Sequence, residues 1–243
     1  MICLKKPRKI LVSLVVLIVL CLGVFLAYTL DFYTADYDDA IEALAGTESL
    51  KIYSEENMVI FKPENPVAGF VFYPGGKVES TAYSPLARQL AEQDILCIIT
   101  SMPFNLAVFD IKAAEMPMEV FADIDDWYIG GHSLGGSMAA AFAAENIDKI
   151  SGLALLASYS TADLSDSNID VLSVYGSEDG VLNMEKYNEY RTNLPRNTVE
   201  IVIDGGNHRQ FGSYGLQDGD GTATVSADRQ LSQTVTAIVD MIK

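Results

Sequence analysis

Histidine is scarce in this chain: among 243 residues there are 2, His132 and His208. Any imidazole that serves as a general base must be one of these two. Cysteine is almost as rare, with 3 residues, Cys3, Cys21 and Cys97. Only Cys97 lies beyond residue 30, so that part of the chain has no intramolecular disulfide. Its setting, Ile95-Leu96-Cys97-Ile98-Ile99, predicts a buried, inert thiol. Basic residues are outnumbered, 16 Lys and Arg against 33 Asp and Glu, for a net charge of −17. That balance excludes nucleic acid as a partner and disfavours polyanionic substrates. Internal repeats and low-complexity tracts are also missing. A length of 243 residues leaves room for one domain with a sizeable core.

The acids are absent altogether from the first 30 residues, where the charge is positive. Lys5, Lys6, Arg8 and Lys9 precede an uncharged apolar run over 10–30, and Asp31 is the first acid. As a helix that run rises about 31 Å, roughly the hydrocarbon thickness of a bilayer. The basic cluster is expected to stay in the cytoplasm and to place the following chain outside. With those 4 basic residues set aside, the net charge of −17 becomes −21 for 31–243. The run exceeds the roughly 7–15 residues of a signal-peptide core. Ala27-Tyr28-Thr29 is a poor cleavage pattern, and Leu20 before Cys21 does not fit a lipoprotein signal. The expectation is a retained signal anchor; the alternative is a cleaved signal peptide and secretion. The resulting division is a cytoplasmic tail over 1–9, an anchor over 10–30, a juxtamembrane spacer over 31–49 and a folded domain over 50–243.

Past the spacer, short apolar runs alternate with helical patterns. Strands are expected at 50–54, 58–62, 68–73, 95–100, 127–130, 150–157, 171–175 and 199–203. Helices are expected at 84–93, 111–121, 136–145, 183–193 and 226–242, with a short one possible over 38–45. Several strand segments are apolar throughout, as when helices cover both faces of a sheet. Two opening strands followed by β-α units imply an α/β domain with a mostly parallel sheet.

One heptapeptide carries chemistry: Gly130-Gly131-His132-Ser133-Leu134-Gly135-Gly136. It holds Gly-x-Ser-x-Gly between the apolar Trp127-Tyr128-Ile129 and an alanine-rich helical run. A sharp strand-to-helix turn puts the serine under backbone strain and leaves no room for side chains two residues before and after it. A serine hydroxyl needs a base within hydrogen-bond reach. His132 sits in the elbow itself, where neighbouring side chains diverge, so elimination leaves His208, in Asp204-Gly205-Gly206-Asn207-His208. Asp179, in Tyr175-Gly176-Ser177-Glu178-Asp179-Gly180, is the candidate to orient it, with Glu178 as the alternative.

The order Ser133, Asp179, His208, each just beyond a strand, resembles the α/β-hydrolase superfamily over about residues 50–243. The likeness is to its small, lidless branch near dienelactone hydrolases and carboxylesterases. Dienelactone hydrolases proper carry a cysteine nucleophile, so Ser133 argues against transferring their substrate. The resemblance implies an oxyanion hole built from the Leu134 N–H and a second donor after an early strand, in Tyr73-Pro74-Gly75-Gly76-Lys77. There Gly76 is the expected donor and Lys77 the alternative.

Taken together, the residues predict a membrane-tethered serine hydrolase, acting on carboxylic esters through an acyl-enzyme. It would need no metal or organic cofactor. The same triad could serve acyl transfer or amide cleavage, and the same fold could be an inactive surface binding protein. Only about a dozen residues separate 157 from 171, where many lipases insert a lid. An open site for short acyl esters, free or displayed on a larger surface molecule, is therefore expected, with Tyr159, Phe104 and Tyr214 as candidate lining residues. Asp218-Gly219-Asp220-Gly221 superficially suggests a calcium loop, but lacks the further spaced acids and terminal glutamate. It reads as an acidic turn.

Overall fold

The structure, a computed structural model, describes residues 6–243, with side chains from Ile10 onward. Cys3 and Lys5 lie outside the described residues. The chain divides into two compact units, 1–32 and 33–243.

Among the described residues of the first unit, one helix, α1 (Lys6–Leu30), is uncharged over Ile10–Leu30, with a mean hydropathy of 3.3. This uncharged stretch of 21 residues makes it a candidate membrane span.

The second unit is built on eight strands: β1 (Leu50–Glu55), β2 (Met58–Pro63), β3 (Ala68–Tyr73), β4 (Ile95–Thr100), β5 (Trp127–His132), β6 (Gly152–Leu156), β7 (Asp170–Gly176) and β8 (Val199–Ile203). They form one sheet in the order β1-β2-β4-β3-β5-β6-β7-β8. The β2 strand runs antiparallel to both its neighbours, and all other pairs from β4 to β8 are parallel. The helices are α2 (Tyr37–Ala43), α3 (Ser84–Ala91), α4 (Glu115–Val120), α5 (Leu134–Glu145), α6 (Met184–Tyr190) and α7 (Ala227–Ile242).

Strand alternation explains why the apolar runs are continuous. In β3, Phe70 and Phe72 face a core that includes Leu86 and Leu90 of α3 and Ile238 of α7. Val71 and Tyr73 face the opposite core, shared with Ala140 and Phe142 of α5. Both faces of β3 are covered, so all its positions are buried, whereas the edge strands β1 and β8 are largely exposed or half-buried.

Two expectations shift. The helix expected over 111–121 is confined to Glu115–Val120. Pro117 has no N–H to donate to residue 113 and tolerates only the first turn, which stops the helix extending backward. The strand expected to end at 130 continues to His132, because Gly131 pairs with Tyr73 and His132 with Leu156.

This topology positions the site. The helix after β3 covers one face, and the helix after β5 covers the other. These neighbouring strands therefore leave a crevice beyond their carboxyl ends, where open α/β sheets bind ligands. Residues 33–36 lie over the loops at that edge. Tyr33 N donates to Lys77 O at 2.7 Å and Glu79 N to Tyr33 O at 2.9 Å, while Asp36 N donates to Ser213 O at 2.9 Å.

Candidate active site

Ser133 joins β5 to α5 with φ 52° and ψ −122°. Its N–H donates to Leu156 O at 2.9 Å, and its carbonyl accepts from Ser158 Oγ at 2.7 Å. The left-handed backbone holds because the elbow is pressed against β3. A Cβ on Gly135 would come within 2.2 Å of both Tyr73 O and Pro74 O, and one on Gly131 within 2.6 Å of Gly135 C. Glycine at these two positions is a steric requirement.

The structure brings His208 and Asp179 together. They follow the adjacent parallel strands β8 and β7, and His208 Nδ1 lies 2.9 Å from Asp179 Oδ2. Both side chains are buried, with 1% and 2% exposed. The second oxygen of Asp179 accepts the N–H groups of Val181 at 2.9 Å and Leu182 at 2.8 Å. Glu178, the alternative, is exposed and meets only the Ser177 hydroxyl. On the other side of the ring, His208 Nε2 is buried without a hydrogen-bond partner. The Ser133 hydroxyl makes no hydrogen bond to it in the structure; hydrogen bonds between a nucleophile and its base commonly tighten only with substrate.

His132 is walled into the protein beneath Ser133. Its ring lies 4.4 Å from that of His208, and its Nδ1 is 2.8 Å from Tyr83 Oη. The same hydroxyl accepts the Gly75 N–H at 3.0 Å, and His132 Nε2 is buried without a hydrogen-bond partner. Burial, reinforced by the nearby His208, holds the His132 pKa well below its ordinary value. Nothing in the local sequence around Tyr83 marks it for this role; the partners are 49 residues apart.

The loop after β3 presents three successive amides. Gly75 N–H is taken by Tyr83, and Lys77 N–H donates to Asn105 O at 2.7 Å. Gly76 N–H has no acceptor among the described residues, and a Cβ there would lie 3.0 Å from Leu134 Cδ2. Leu134 opens α5, so its own N–H has no intrahelical acceptor. Gly76 thus packs closely against Leu134, and neither residue's N–H is given over to a backbone acceptor there.

Of the candidate lining residues, Tyr214 is core, buried against Tyr33 at a ring distance of 5.7 Å. Tyr159 stacks on Tyr190 at 5.6 Å, and Phe104 is half exposed, edge-on to Phe109. Cys97 is buried, which pushes its thiol pKa far up. Among the described residues, no group of three His, Cys, Asp or Glu side chains is arranged to hold a metal ion. A cavity of about 480 Å³ between α2, α3 and the start of α7 is lined by Arg88 and Arg209, but by none of Ser133, Asp179 or His208.

A model of the alpha/beta hydrolase family matches residues 69–232, well over half of the chain. The chain belongs to the alpha/beta hydrolase family. A search of curated proteins finds no match to this hydrolase. Among solved structures it is similar to a predicted CIB-like hydrolase from Thermoplasma acidophilum. The TM-score is 0.55 at 13% identity, covering 79% of this chain and 97% of that one. It is also similar to Est1E from Butyrivibrio proteoclasticus, with a TM-score of 0.58 at 14% identity, covering 80% of this chain and 99% of that one. At these identities the likeness concerns the fold.

Proposed function

We propose that this hydrolase is a serine carboxylesterase for short acyl esters, tethered to a membrane by Ile10–Leu30 with its catalytic domain on the extracytoplasmic side. The observation that carries the reading is the buried His208–Asp179 pair, whose imidazole lies 4.4 Å from the ring of His132, the residue before the strained Ser133, with Nε2 not engaged by any other group. Ser133 Oγ attacks the ester carbon while His208 Nε2 takes its proton. Asp179 holds the resulting imidazolium through Nδ1–H, and is itself held by the Val181 and Leu182 amides. The Leu134 and Gly76 N–H groups donate to the oxyanion. His208 returns the proton to the leaving alkoxide, then activates the water that releases the acyl group.

Openness supports a short acyl group. Residues 157–169, which connect β6 to β7, form no lid helix and are fastened down. Leu164 N donates to Asn193 O at 2.7 Å, and Asn193 Nδ2 to Ser160 O at 3.0 Å. The basic residues before α1 and the acidic chain after it support the orientation.

The test is turnover of chromogenic esters of increasing acyl length by the full chain in detergent, beside Ser133→Ala. Activity should depend on Ser133 and fall with chain length. A preference for long-chain emulsions would refute the short-acyl assignment.

A further inference from the structure

The turn 217–221, an acidic loop by sequence, has a carboxylate that is not given over to solvent. Asp220 Oδ1 accepts from His208 N at 3.1 Å and Gly180 N at 3.3 Å, and from its neighbour Gly221 N at 2.8 Å. Asp220 Oδ2 accepts from Arg209 N at 2.9 Å. Three of these four donors are 40, 12 and 11 residues away in sequence. An ordinary acidic turn satisfies itself locally. Here one oxygen joins the residue after Asp179 to His208 itself, and the other oxygen takes the next amide of the His208 loop.

The surrounding backbone is packed to make this bridge. A Cβ on Gly221 would fall 1.9 Å from Glu178 O, and one on Gly180 would fall 2.4 Å from Gly219 O. The turn therefore lies against the Asp179 loop main chain to main chain. Asn207 Nδ2 donates to Gly221 O at 2.8 Å, while the Asn207 backbone N–H donates to Gln230 Oε1 and its backbone carbonyl accepts from Gln230 Nε2 of α7. His208 thus rides on a short turn whose first two amides end on one carboxylate.

We propose that Asp220 is a positioning residue. Its carboxylate locks the loop carrying His208 to the loop carrying Asp179, so that Nδ1 meets Asp179 and Nε2 stays available to Ser133. The assignment rests on the esterase reading for its kinetic consequence, but not for its geometric one. Asparagine cannot replace the carboxylate here. Its NH₂ group must face at least one backbone N–H, which leaves that donor unpaired and pushes the loop away. Charge-assisted bonds from backbone amides are also the stronger kind, so one oxygen of an amide does not restore them.

The experiment compares full-length wild type, Asp220→Asn, Asp218→Asn, His208→Ala and the Asp220→Asn/His208→Ala double variant in detergent. The readouts are kcat and KM on a chromogenic acetate ester, and the low-field proton resonance of His208 Nδ1–H. Asp220→Asn should lower kcat by about 10- to 100-fold, the range for a misplaced catalytic group, with KM retained. The exposed Asp218→Asn should match wild type. The double variant should be no slower than His208→Ala alone, because a residue that acts through His208 has nothing left to position. The Nδ1–H resonance should be lost in Asp220→Asn. Wild-type kcat in Asp220→Asn would overturn the proposal, as would an equal further loss in the His208→Ala background. If Asp220→Asn fails to fold, Asp220→Glu decides: it keeps charge and acceptors but displaces the oxygens by one methylene, and must lose kcat at constant KM. If wild type has no Ser133-dependent turnover, the esterase reading fails. The resonance then decides the positioning claim alone, its survival in Asp220→Asn being the contrary result.

Discussion

Replacing Asp179 by Asn is the substitution whose consequence can be worked out most fully. The carboxylate has two oxygens with different duties. One accepts the Val181 and Leu182 amides, and the other faces His208 Nδ1. Asparagine has one oxygen, and two N–H donors compete for it against one imidazole. The oxygen therefore stays with the backbone and the NH₂ turns to His208. Nδ1 must then accept, which moves the imidazole proton to Nε2. In that tautomer Nε2 has no lone pair for the Ser133 proton. The expected cost is the full contribution of the base, about 10⁴ in kcat, or roughly 5.5 kcal/mol of barrier. KM should change little, because Asp179 is buried beneath His208 and away from substrate. Glu178→Gln, on an exposed side chain, should leave kcat within about twofold, since surface substitutions rarely have larger effects. Steady-state kinetics on an acetate ester, with circular dichroism to check folding, suffices. A folded Asp179→Asn enzyme that loses less than tenfold, or that outperforms Glu178→Gln, would refute the tautomer reasoning.

Three further outcomes follow from the packing and the charges. Since the unfolded chain protonates His132 near pH 6.5 and the folded chain resists it, unfolding takes up a proton below that pH. Stability should fall on going below pH 6.5 by up to about 1.4 kcal/mol per unit, and His132→Asn should flatten that slope in denaturant melts. Gly135→Ala places a methyl 2.2 Å from two carbonyl oxygens and should cost about 3–5 kcal/mol, whereas Gly215→Ala, with nothing within 4 Å, should be neutral by thermal melting. A fragment beginning at residue 46 forfeits the three main-chain bonds of Tyr33 and Asp36, at about 1 kcal/mol each. It should melt below a fragment beginning at residue 31 and turn over more slowly; equal behaviour would show that residues 33–36 contribute nothing to the active-site edge.

The parts of the molecule that could be read from sequence are those governed by local chemistry. Runs such as Ala68–Tyr73 and Ile95–Thr100 announce buried strands because every position is apolar. The elbow announces itself because its glycines are sterically obligatory. His208 could be reached by elimination, since the chain offers only one other histidine. Asp179 and Glu178 could not be separated that way, as both follow β7. The difference lies in the turn, which folds Val181 and Leu182 back onto the Asp179 carboxylate. Tyr83 and Asp220 carried no local signal at all. The contacts that tie them to the site, to His132 49 residues from Tyr83 and to the Asp179 and His208 loops 11 to 40 residues from Asp220, form only when the completed sheet brings them together. The contraction of the helix at 115–120 follows from Pro117, a residue visible in the sequence whose restriction the apolar pattern concealed.

The central claim is that Ser133 becomes acylated. Brief exposure of the full chain to a fluorophosphonate, followed by peptide mass spectrometry, tests it most directly. One adduct is expected, on the peptide containing Ser133, that disappears in Ser133→Ala and is strongly slowed in His208→Ala. Labelling at another residue, or ester turnover that survives Ser133→Ala, would contradict it.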